Sequence, residues 1–321
     1  MEALLQVIAG LVMLVLGGEA LVRGAVAIAK NLGVPTLVIG LTIVSFGTSA
    51  PEMFISVQAV LTNHPDIALG NIIGSNIANI LLVLGVTAII YPIAVDAKLV
   101  KRDAPLMLMA TCLFLFFCTS NQILGRFEAL IFLGIVIAYT IHVFRSVKSG
   151  DEQEMLKELE EETDIDMPIW KSLLFIIGGC LVLVFGSKIL VSGASVLAVT
   201  IGVPEAVIGL TVLAVGSSAP ELVTAVVAAR RQHADLALGN IVGSNLFNIT
   251  VIGGVAGLVS PIPVAQQFLD TEVWIMLMVT IALIAFMLSG RRISKSEGII
   301  LFTGYICYNA WQYYSNLVIP A

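Results

Sequence analysis

Two short motifs place a glutamate and small hydroxyl side chains inside long apolar stretches of this 321-residue sequence. The stretch Gly47–Glu52 is Gly-Thr-Ser-Ala-Pro-Glu, and Gly216–Glu221 is Gly-Ser-Ser-Ala-Pro-Glu. A proline within a helix removes one backbone donor and displaces the carbonyl one turn earlier, so each motif should bend its helix and free carbonyl oxygens. Together these groups predict clusters of carboxylate, hydroxyl and carbonyl oxygens, which are the ligands that hard cations such as calcium prefer.

The hydroxyl side chains of each motif lie three and four residues before the glutamate, and this spacing places them on the same helical face. In the first copy we expect Thr48 and Ser49 beside Glu52, with freed carbonyls from Ser45 to Thr48. In the second copy we expect Ser217 and Ser218 beside Glu221, with freed carbonyls from Ala214 to Ser217. A Pro-Gly hinge used only for packing is the alternative. An acid in both copies favours a site, because a charge at membrane depth is costly.

A second pair of motifs, Gly70–Asn79 and Gly239–Asn248, contains amide and hydroxyl side chains at helical spacing. Residues four apart lie on one stripe of a helix. From this stripe we expect four residues to face an ion: Ser75, Asn79, Ser244 and Asn248. We interpret the other asparagines as interhelical hydrogen-bonding groups and the glycines as close-packing positions. These asparagines are Asn71, Asn76, Asn240 and Asn245.

The two halves of the chain are related by a constant offset of 169 residues, as from Glu52 to Glu221. Residues 33–52 share 13 identities in 20 with residues 202–221. Residues 66–79 share 10 identities in 14 with residues 235–248. Internal repeats with polar groups at corresponding positions are typical of transporters whose site lies between the halves.

The composition predicts a membrane protein, since 58% of the residues are hydrophobic, only 12% are charged and the mean hydropathy is +1.02. Soluble domains contain about 25% charged residues. We therefore predict an all-α integral membrane protein with ten transmembrane helices. Their apolar runs lie at about 3–28, 34–61, 68–91, 104–120, 123–144, 171–197, 203–229, 236–260, 271–289 and 297–318. The first run lacks a preceding basic region, so we expect a retained helix and not a cleaved signal.

An acidic linker separates the two predicted halves. Residues 151–166 contain nine acids and one base, so the rest of the chain has a net charge of about +2 against the total of −6. This charge distribution gives no indication of nucleic-acid binding. The expected organisation is a first five-helix repeat over 1–149, an acidic cytoplasmic linker over 150–169 and a second repeat over 170–321.

An odd number of spans in each half predicts that the second half is inverted with respect to the first. If the N-terminus is outside, nearly all basic loop residues fall on the inner side, as the positive-inside rule requires. We therefore expect a multi-pass protein of the plasma (inner) membrane with both termini outside and the linker in the cytoplasm.

Other classes of function fit the sequence less well. An intramembrane enzyme using Ser49 or Ser218 would lack a buried histidine base, since the three histidines lie at predicted loops or helix ends. A passive channel remains an alternative. We expect no prosthetic group, and no obligate protein partner is evident. The expected partners are the lipid bilayer and the transported ions.

The four motif segments resemble the alpha-repeats of the calcium/cation antiporter superfamily, which includes the sodium/calcium exchangers, and are most similar to its short prokaryotic branch. The resemblance covers nearly the whole chain. It implies calcium ligation by Glu52 and Glu221 with the carbonyls of Thr48 and Ser217. It further implies sodium sites on either side and central asparagines, with the following residues: the Ser45 and Ala214 carbonyls, Thr48, Ser49, Ser217, Ser218, Ser75, Ser244, Asn79 and Asn248.

The family resemblance implies secondary antiport of calcium against sodium by alternating access, with the first and sixth helices sliding across a four-helix core. Some exchangers of the family have an aspartate where this chain has Asn79 or Asn248, so the central charge here is −2 and not −3. Calcium/proton or other cation/proton antiport at the same site is the alternative. Neither transported ion is a resident cofactor.

Overall fold

The structure is a computed structural model that describes residues 2–148, 167–200 and 214–318. The acidic stretch 151–166, the linker boundary at 149/150 and the first part of the predicted helix at 203–229 lie outside the described residues. The described helical segments are α1 (Glu2–Leu32), α2 (Thr36–Thr48), α3 (Ala50–Leu61), α4 (Pro65–Ile90), α5 (Leu99–Asn121), α6 (Arg126–Lys148), α7 (Ile169–Thr200), α8 (Ala214–Ser217), α9 (Ala219–Arg230), α10 (Ala234–Val259), α11 (Phe268–Gly290) and α12 (Lys295–Val318).

Within the described ranges, seven helices are long and apolar enough to cross a membrane, and the pair α2 and α3, bent by 46°, would make an eighth span. The seven helices are α1, α4, α5, α6, α7, α10 and α11. The 24-residue helix α12 is not among them, and α8 and α9 follow residues that the structure does not describe. The chain is therefore mostly helical with seven or eight candidate spans in its described part, and the number ten stays a prediction.

Four two-residue strands, which the sequence did not predict, connect the two halves. They are β1 (Ile93–Ala94), β2 (Ile123–Leu124), β3 (Ile262–Pro263) and β4 (Arg292–Ile293). The strands pair antiparallel as β1 with β4 and β2 with β3. The offset of 169 relates β1 to β3 and β2 to β4. Exchanging the halves therefore converts one strand pair into the other.

The same offset relates the helices of the two halves. Helix α3 corresponds to α9 and α5 to α11, because both ends of each pair differ by 169 residues. Helix α6 corresponds to α12, because their first residues differ by 169. Short π-helical turns also recur, within α4 at Asn79–Leu84 and within α10 at Asn248–Ile252. Such turns are common at functional sites because they redirect side chains within a helix. The repeat seen in the sequence is thus a repeat of structure.

Helices α1 and α7 occupy equivalent positions in the two halves and pack against each other in antiparallel orientation. Gly17 of α1 faces Gly179 of α7, and a Cβ atom on Gly179 would lie 2.7 Å from the Leu21 nitrogen. Further along, a Cβ on Gly10 would lie 2.6 Å from the Leu190 nitrogen. Small residues of this kind allow helix backbones in membranes to approach closely.

The surface and the interior have the opposite polarity to that of a water-soluble protein. Leu5, Phe54 and Phe127 lie on helices and are 62%, 65% and 71% exposed. Glutamate, asparagine, serine and threonine side chains lie buried in the protein interior, among them Glu52 and Glu221. Exposed apolar surface on this scale needs a lipid environment, while the buried polar groups need a function or a partner.

Helices α6 and α12 each begin with an acid that accepts hydrogen bonds at the helix start. Glu128 accepts from the backbone nitrogen of Gly125 at 3.0 Å, and Glu297 accepts from the nitrogen of Ser294 at 2.7 Å. An acid at the third helical position that binds the preceding cap residue is one half of a capping box. These acids therefore have a structural role outside the central polar cluster.

Candidate cation site

The two glutamate motifs lie at breaks between short helices. Ser49 separates α2 from α3, and Ser218 separates α8 from α9, with nearly the same backbone angles at both positions (φ −87°, ψ 7° and φ −89°, ψ 6°). Pro51 and Pro220 lie in the first turns of the helices that follow. The predicted bend of the first copy is confirmed, because α2 and α3 meet at 46°.

Glu52 and Glu221 lie in the first turns of α3 and α9, and each is only 2% exposed. The positive end of a helix dipole and its unpaired backbone nitrogens favour a negative charge at this position. No salt bridge reaches either carboxyl in the described part of the chain. Two buried acids, one from each motif, therefore have no basic partner among the described residues.

One hydroxyl connects the two motifs directly. Ser49 donates a hydrogen bond to Oε1 of Glu221 at 3.2 Å. Within the described residues, Ser218 Oγ and the Oε2 atoms of both glutamates are buried and have no hydrogen-bond partner. Buried polar atoms are normally satisfied, so these oxygens indicate a group that the protein alone does not supply.

Thr48 joins the cluster from α2. Its hydroxyl lies 3.3 Å from Oδ1 of Asn240. The same Asn240 oxygen accepts from the hydroxyl of Ser244 at 3.5 Å. The predicted site residues Thr48 and Ser244 therefore both contact Asn240, and the contact from α2 to α10 fits the interhelical hydrogen-bonding role expected for this asparagine.

Ser45 makes hydrogen bonds both within α2 and to α10. Its carbonyl accepts from the Ser49 nitrogen at 3.0 Å, so this oxygen keeps a helical hydrogen bond. Its hydroxyl donates to the carbonyls of Gly40 at 2.6 Å and Asn240 at 3.0 Å and thereby ties α2 to α10. In the second half, the Gly216 carbonyl accepts a hydrogen bond from Ser187 of α7. The carbonyls near both breaks are therefore only partly free.

Asn79 and Asn248 begin the π-helical turns of α4 and α10 and are 2% and 1% exposed. Both amide atoms of Asn248 are buried without a hydrogen-bond partner among the residues that the structure describes, and the same holds for Asn245. Asn71 instead donates to the Glu52 carbonyl and the Ser56 hydroxyl, as expected for an interhelical hydrogen-bonding group. Buried amide oxygens without partners are suitable cation ligands.

A cavity of about 460 Å³ gives access to one side of the cluster. Three predicted site residues, Ser75, Ser217 and Ser218, line it together with Tyr308 and Gln312 of α12. Tyr308 and Gln312 also donate to the carboxylate of Glu272. The cavity therefore brings solvent space to the hydroxyl groups contributed by α4, α8 and the second break.

A smaller cavity lies beside Phe46 and Phe247. It measures about 320 Å³, Tyr139 also lines it, and its described lining does not include Thr48 or Ser49. The rings of Phe46 and Phe247 pack edge to face with centroids 5.3 Å apart. The equivalent of Phe247 in the first half is Ala78, which lines the large cavity. The two halves therefore place different side chains, Phe247 and Ala78, at equivalent positions beside the two cavities.

The site offers oxygen ligands and almost no other ligand type. No group of three or more histidine, cysteine, aspartate or glutamate side chains that could hold a metal occurs in the described ranges. Two carboxylates with neutral hydroxyl, amide and carbonyl oxygens suit sodium or calcium better than a transition metal. Such a set can bind and release hard cations without any covalent step.

Comparison with known proteins places this chain in a family. The model of the sodium/calcium exchanger protein family matches twice, over residues 2–145 and over residues 171–314. The two matched segments differ by the offset of 169 found in the sequence and in the structure. The chain belongs to the sodium/calcium exchanger protein family, whose members are membrane transporters, and it is a multi-pass membrane protein.

Full-length relatives support this assignment. The chain is 37% identical to a protein named "Putative antiporter CaxA" from Alkalimonas amylolytica, with 95% of this chain and 97% of that protein covered. It is 33% identical to the sodium/calcium exchanger MaX1 from Methanosarcina acetivorans, with the same coverage, and 31% identical to the inner membrane protein YrbG from Escherichia coli, with 97% of each covered.

The fold matches solved structures of the sodium-calcium exchanger NCX_Mj. A structure soaked with zero Na⁺ and Ca²⁺ superposes with a TM-score of 0.80 at 29% identity and covers 97% of this chain and 99% of that chain. A structure soaked with 2.5 mM Na⁺ and 1 mM Sr²⁺ gives a TM-score of 0.82 at the same identity. The predicted family is thereby confirmed.

Proposed function

We propose that this chain is a secondary active antiporter that exchanges calcium for sodium by alternating access, with Glu52 and Glu221 as the central cation ligands. The observation that supports this most directly is the burial of one carboxyl group from each copy of the motif without a salt bridge in the described residues, with the two motifs joined by the hydrogen bond from Ser49 to Glu221. The relatives named as sodium/calcium exchangers support the choice of ions.

The charge of the site gives a physical reason for exchange. Two ionised glutamates at the centre carry −2, which one calcium ion, sodium ions or two protons can neutralise. A buried uncompensated charge is costly, so the empty and doubly charged site should resist the change between its two accessible states. A site loaded with cations is neutral or nearly so and should change readily between the two accessible states. Because the empty site does not, movement of one ion in one direction requires movement of the other ion in the opposite direction.

Neutral oxygens complete the proposed cation sites. The Ser49 hydroxyl donates to the Glu221 carboxyl in the structure, and Ser217 and Ser218 line the larger cavity. Calcium takes six to eight oxygen ligands, so two carboxylates alone cannot satisfy it. The proposed neutral ligands are Thr48, Ser49, Ser217, Ser218, Ser75, Ser244, Asn79, Asn248 and the carbonyls of Ser45 and Ala214.

We further propose ten spans arranged as two inverted five-helix repeats, with both termini outside the plasma membrane. Three observations support the inversion: the constant offset of 169, the exchange of β1–β4 with β2–β3, and the antiparallel packing of α1 against α7. In this topology the large cavity faces the outside. The larger cavity would then lead from the outside toward Ser75, Ser217 and Ser218.

The test is calcium uptake into proteoliposomes that contain the purified full-length protein. Vesicles loaded with sodium are diluted into sodium-free buffer with radioactive calcium, and a parallel set receives an imposed pH gradient. We expect uptake that requires internal sodium and is lost in Glu52→Gln and in Glu221→Gln. Glu128→Gln is the matched control, because Glu128 is also a buried acid but caps α6 away from the site.

Each result decides between the candidate functions. Normal sodium-driven exchange in either glutamate variant would refute the site. Uptake driven only by the pH gradient would support calcium/proton antiport, which the central charge of −2 equally allows. Calcium flux that ignores both gradients would indicate a channel.

A further inference from the structure

Asn71 and Asn240 occupy the same position in the two halves but make different contacts. The Nδ2 atom of Asn71 donates to the Glu52 carbonyl at 3.0 Å and to the Ser56 hydroxyl at 2.9 Å, which ties α4 to α3. The Nδ2 atom of Asn240 is buried and has no partner in the described part of the chain. The amide that packs helices together in the first half is therefore not used in this way in the second half.

A single difference in the repeat explains the two arrangements. The residue equivalent to Ser56 is Ala225, which has no hydroxyl to hold the Asn240 amide against α9. The Asn240 side chain instead presents Oδ1 to Thr48 at 3.3 Å and to Ser244 at 3.5 Å. Asn240 is fully buried, so no solvent competes for this oxygen.

The contacts of Asn240 affect how two hydroxyl groups face the centre. A hydroxyl has one hydrogen to donate and lone pairs that can bind a cation. When Thr48 and Ser244 direct their hydrogens toward Asn240, their lone pairs are free to point elsewhere. The Thr48 hydroxyl also lies 3.1 Å from the Val44 carbonyl of its own helix, so Asn240 offers the competing acceptor from the other half.

We propose that Asn240 is a positioning residue that orients the Thr48 and Ser244 hydroxyls and thereby sets the sodium affinity of the site, a role that Asn71 does not share. This inference rests on the proposed function. The calcium affinity of an oxygen site is tuned by the number of charged ligands, and Asn240 orients only neutral hydroxyl groups. Loss of Asn240 should therefore weaken sodium binding more than calcium binding.

The test measures cation binding without transport. The melting temperature of the purified full-length protein is titrated with sodium chloride at constant ionic strength in choline chloride, and separately with calcium chloride. In Asn240→Ala we expect the half-maximal sodium concentration to rise about fivefold or more, the factor for loss of one neutral hydrogen bond. The half-maximal calcium concentration should change by less than about twofold, and Asn71→Ala should leave the ratio of the two unchanged.

A second variant tests the proposal without removing Asn240. Ala225→Ser introduces the hydroxyl that holds the equivalent amide in the first half, and it should weaken sodium binding in the same direction. A double-mutant cycle on the free energy of sodium binding tests the mechanism. The effect of Asn240→Ala on this free energy should be non-additive with that of Ser244→Ala and additive with that of Ser75→Ala. A merely structural role of Asn240 would not weaken sodium binding more than calcium binding.

The outcomes separate this inference from the proposed function. A wild-type protein stabilised by both ions, with equal or no shifts in Asn240→Ala and Ala225→Ser, would overturn only the role of Asn240. A wild-type protein stabilised by calcium but not by sodium would overturn the sodium assignment and this role together. Stabilisation by neither ion would overturn the proposed site itself.

Discussion

The hydroxyl of Ser49 donates a 3.2 Å hydrogen bond to Oε1 of Glu221, so the first copy of the motif holds the acid of the second copy. The reciprocal contact is absent in the described residues, because Ser218 Oγ is buried without a hydrogen-bond partner. The two carboxyl groups are therefore not equivalent in this state of the protein, although their motifs are nearly identical.

This inequality leads to a prediction for the protein without cations. Ser49→Ala should lower the melting temperature, because it leaves a buried carboxylate oxygen unsatisfied at a cost of about 1–3 kcal/mol. Ser218→Ala should have little effect, since that hydroxyl makes no hydrogen bond within the described chain. The measurement is thermal unfolding of both purified variants in sodium-free buffer with a calcium chelator. Equal losses in the two variants would contradict the asymmetry.

The close contact of α1 with α7 predicts opposite outcomes for two neighbouring glycines. A Cβ on Gly179 would lie 2.8 Å from the Gly17 carbonyl oxygen, whereas a Cβ on Gly178 would meet nothing within 4 Å. Gly179→Ala should force the helices apart and cost about 1–3 kcal/mol, as overpacking usually does. Gly178→Ala is the control and should keep the wild-type melting temperature. Similar melting temperatures for both variants would show that the α1–α7 contact is not this tight.

We expect the ring of Phe247 to separate the smaller cavity from the central polar cluster. Removing its ring should join the 320 Å³ cavity to the centre, because Ala78 at the equivalent position lines a cavity that reaches the site serines. Alternating access requires that only one side is open, so Phe247→Ala should admit calcium into proteoliposomes without a counter-gradient. Phe54→Ala, which changes a 65% exposed ring on the outer face, is the control and should not leak. A tightly coupled Phe247→Ala protein would argue against a closure by this ring.

The ion pair between Glu19 and Arg231 predicts a compensating double variant. Arg231 follows α9, and its Nε atom lies 2.9 Å from Oε2 of Glu19 in α1. Both side chains are about one-third exposed, so the pair should contribute about 1 kcal/mol or less. Glu19→Arg and Arg231→Glu should each lower the melting temperature at low ionic strength, and the double variant should recover most of the loss.

Arg23 provides the control for this prediction. It contacts Glu19 only within α1, four residues along the same helix, and its side chain is 48% exposed. Arg23→Gln should therefore change the melting temperature less than Arg231→Gln. If the charge-swapped double variant were as unstable as the sum of its single variants, the pair would not act as a connection between α1 and α9.

Much of the architecture could be predicted from the sequence because the repeat constrains it. The offset of 169 anticipated the equivalence of α3 with α9 and of α5 with α11. The positions of the two helix breaks followed from proline chemistry at Pro51 and Pro220. The four short strands were missed, since two-residue pairings between distant loops leave no periodic pattern in the sequence.

The candidate site was predicted less completely than the fold. Helical spacing placed Asn71 and Asn240 in one class, although only Asn240 contacts the hydroxyls of Thr48 and Ser244. The available signal was the difference between Ser56 and Ala225. Each of these residues lies on the neighbouring helix, 15 positions before the asparagine of its own half. The contacts of a buried amide depend on which partners other helices present, and spacing along one helix does not contain that information.

The sequence by itself determined the class of protein, the repeat and the types of residue at the centre. Apolar runs, prolines and glutamates have consequences that follow from local chemistry and from the cost of burying charge in lipid. Only the tertiary structure decided that Ser49 holds Glu221, that Phe247 packs against Phe46 and that α1 lies against α7. These relationships arise from packing between segments distant in the chain, where near-identical motifs meet different neighbours.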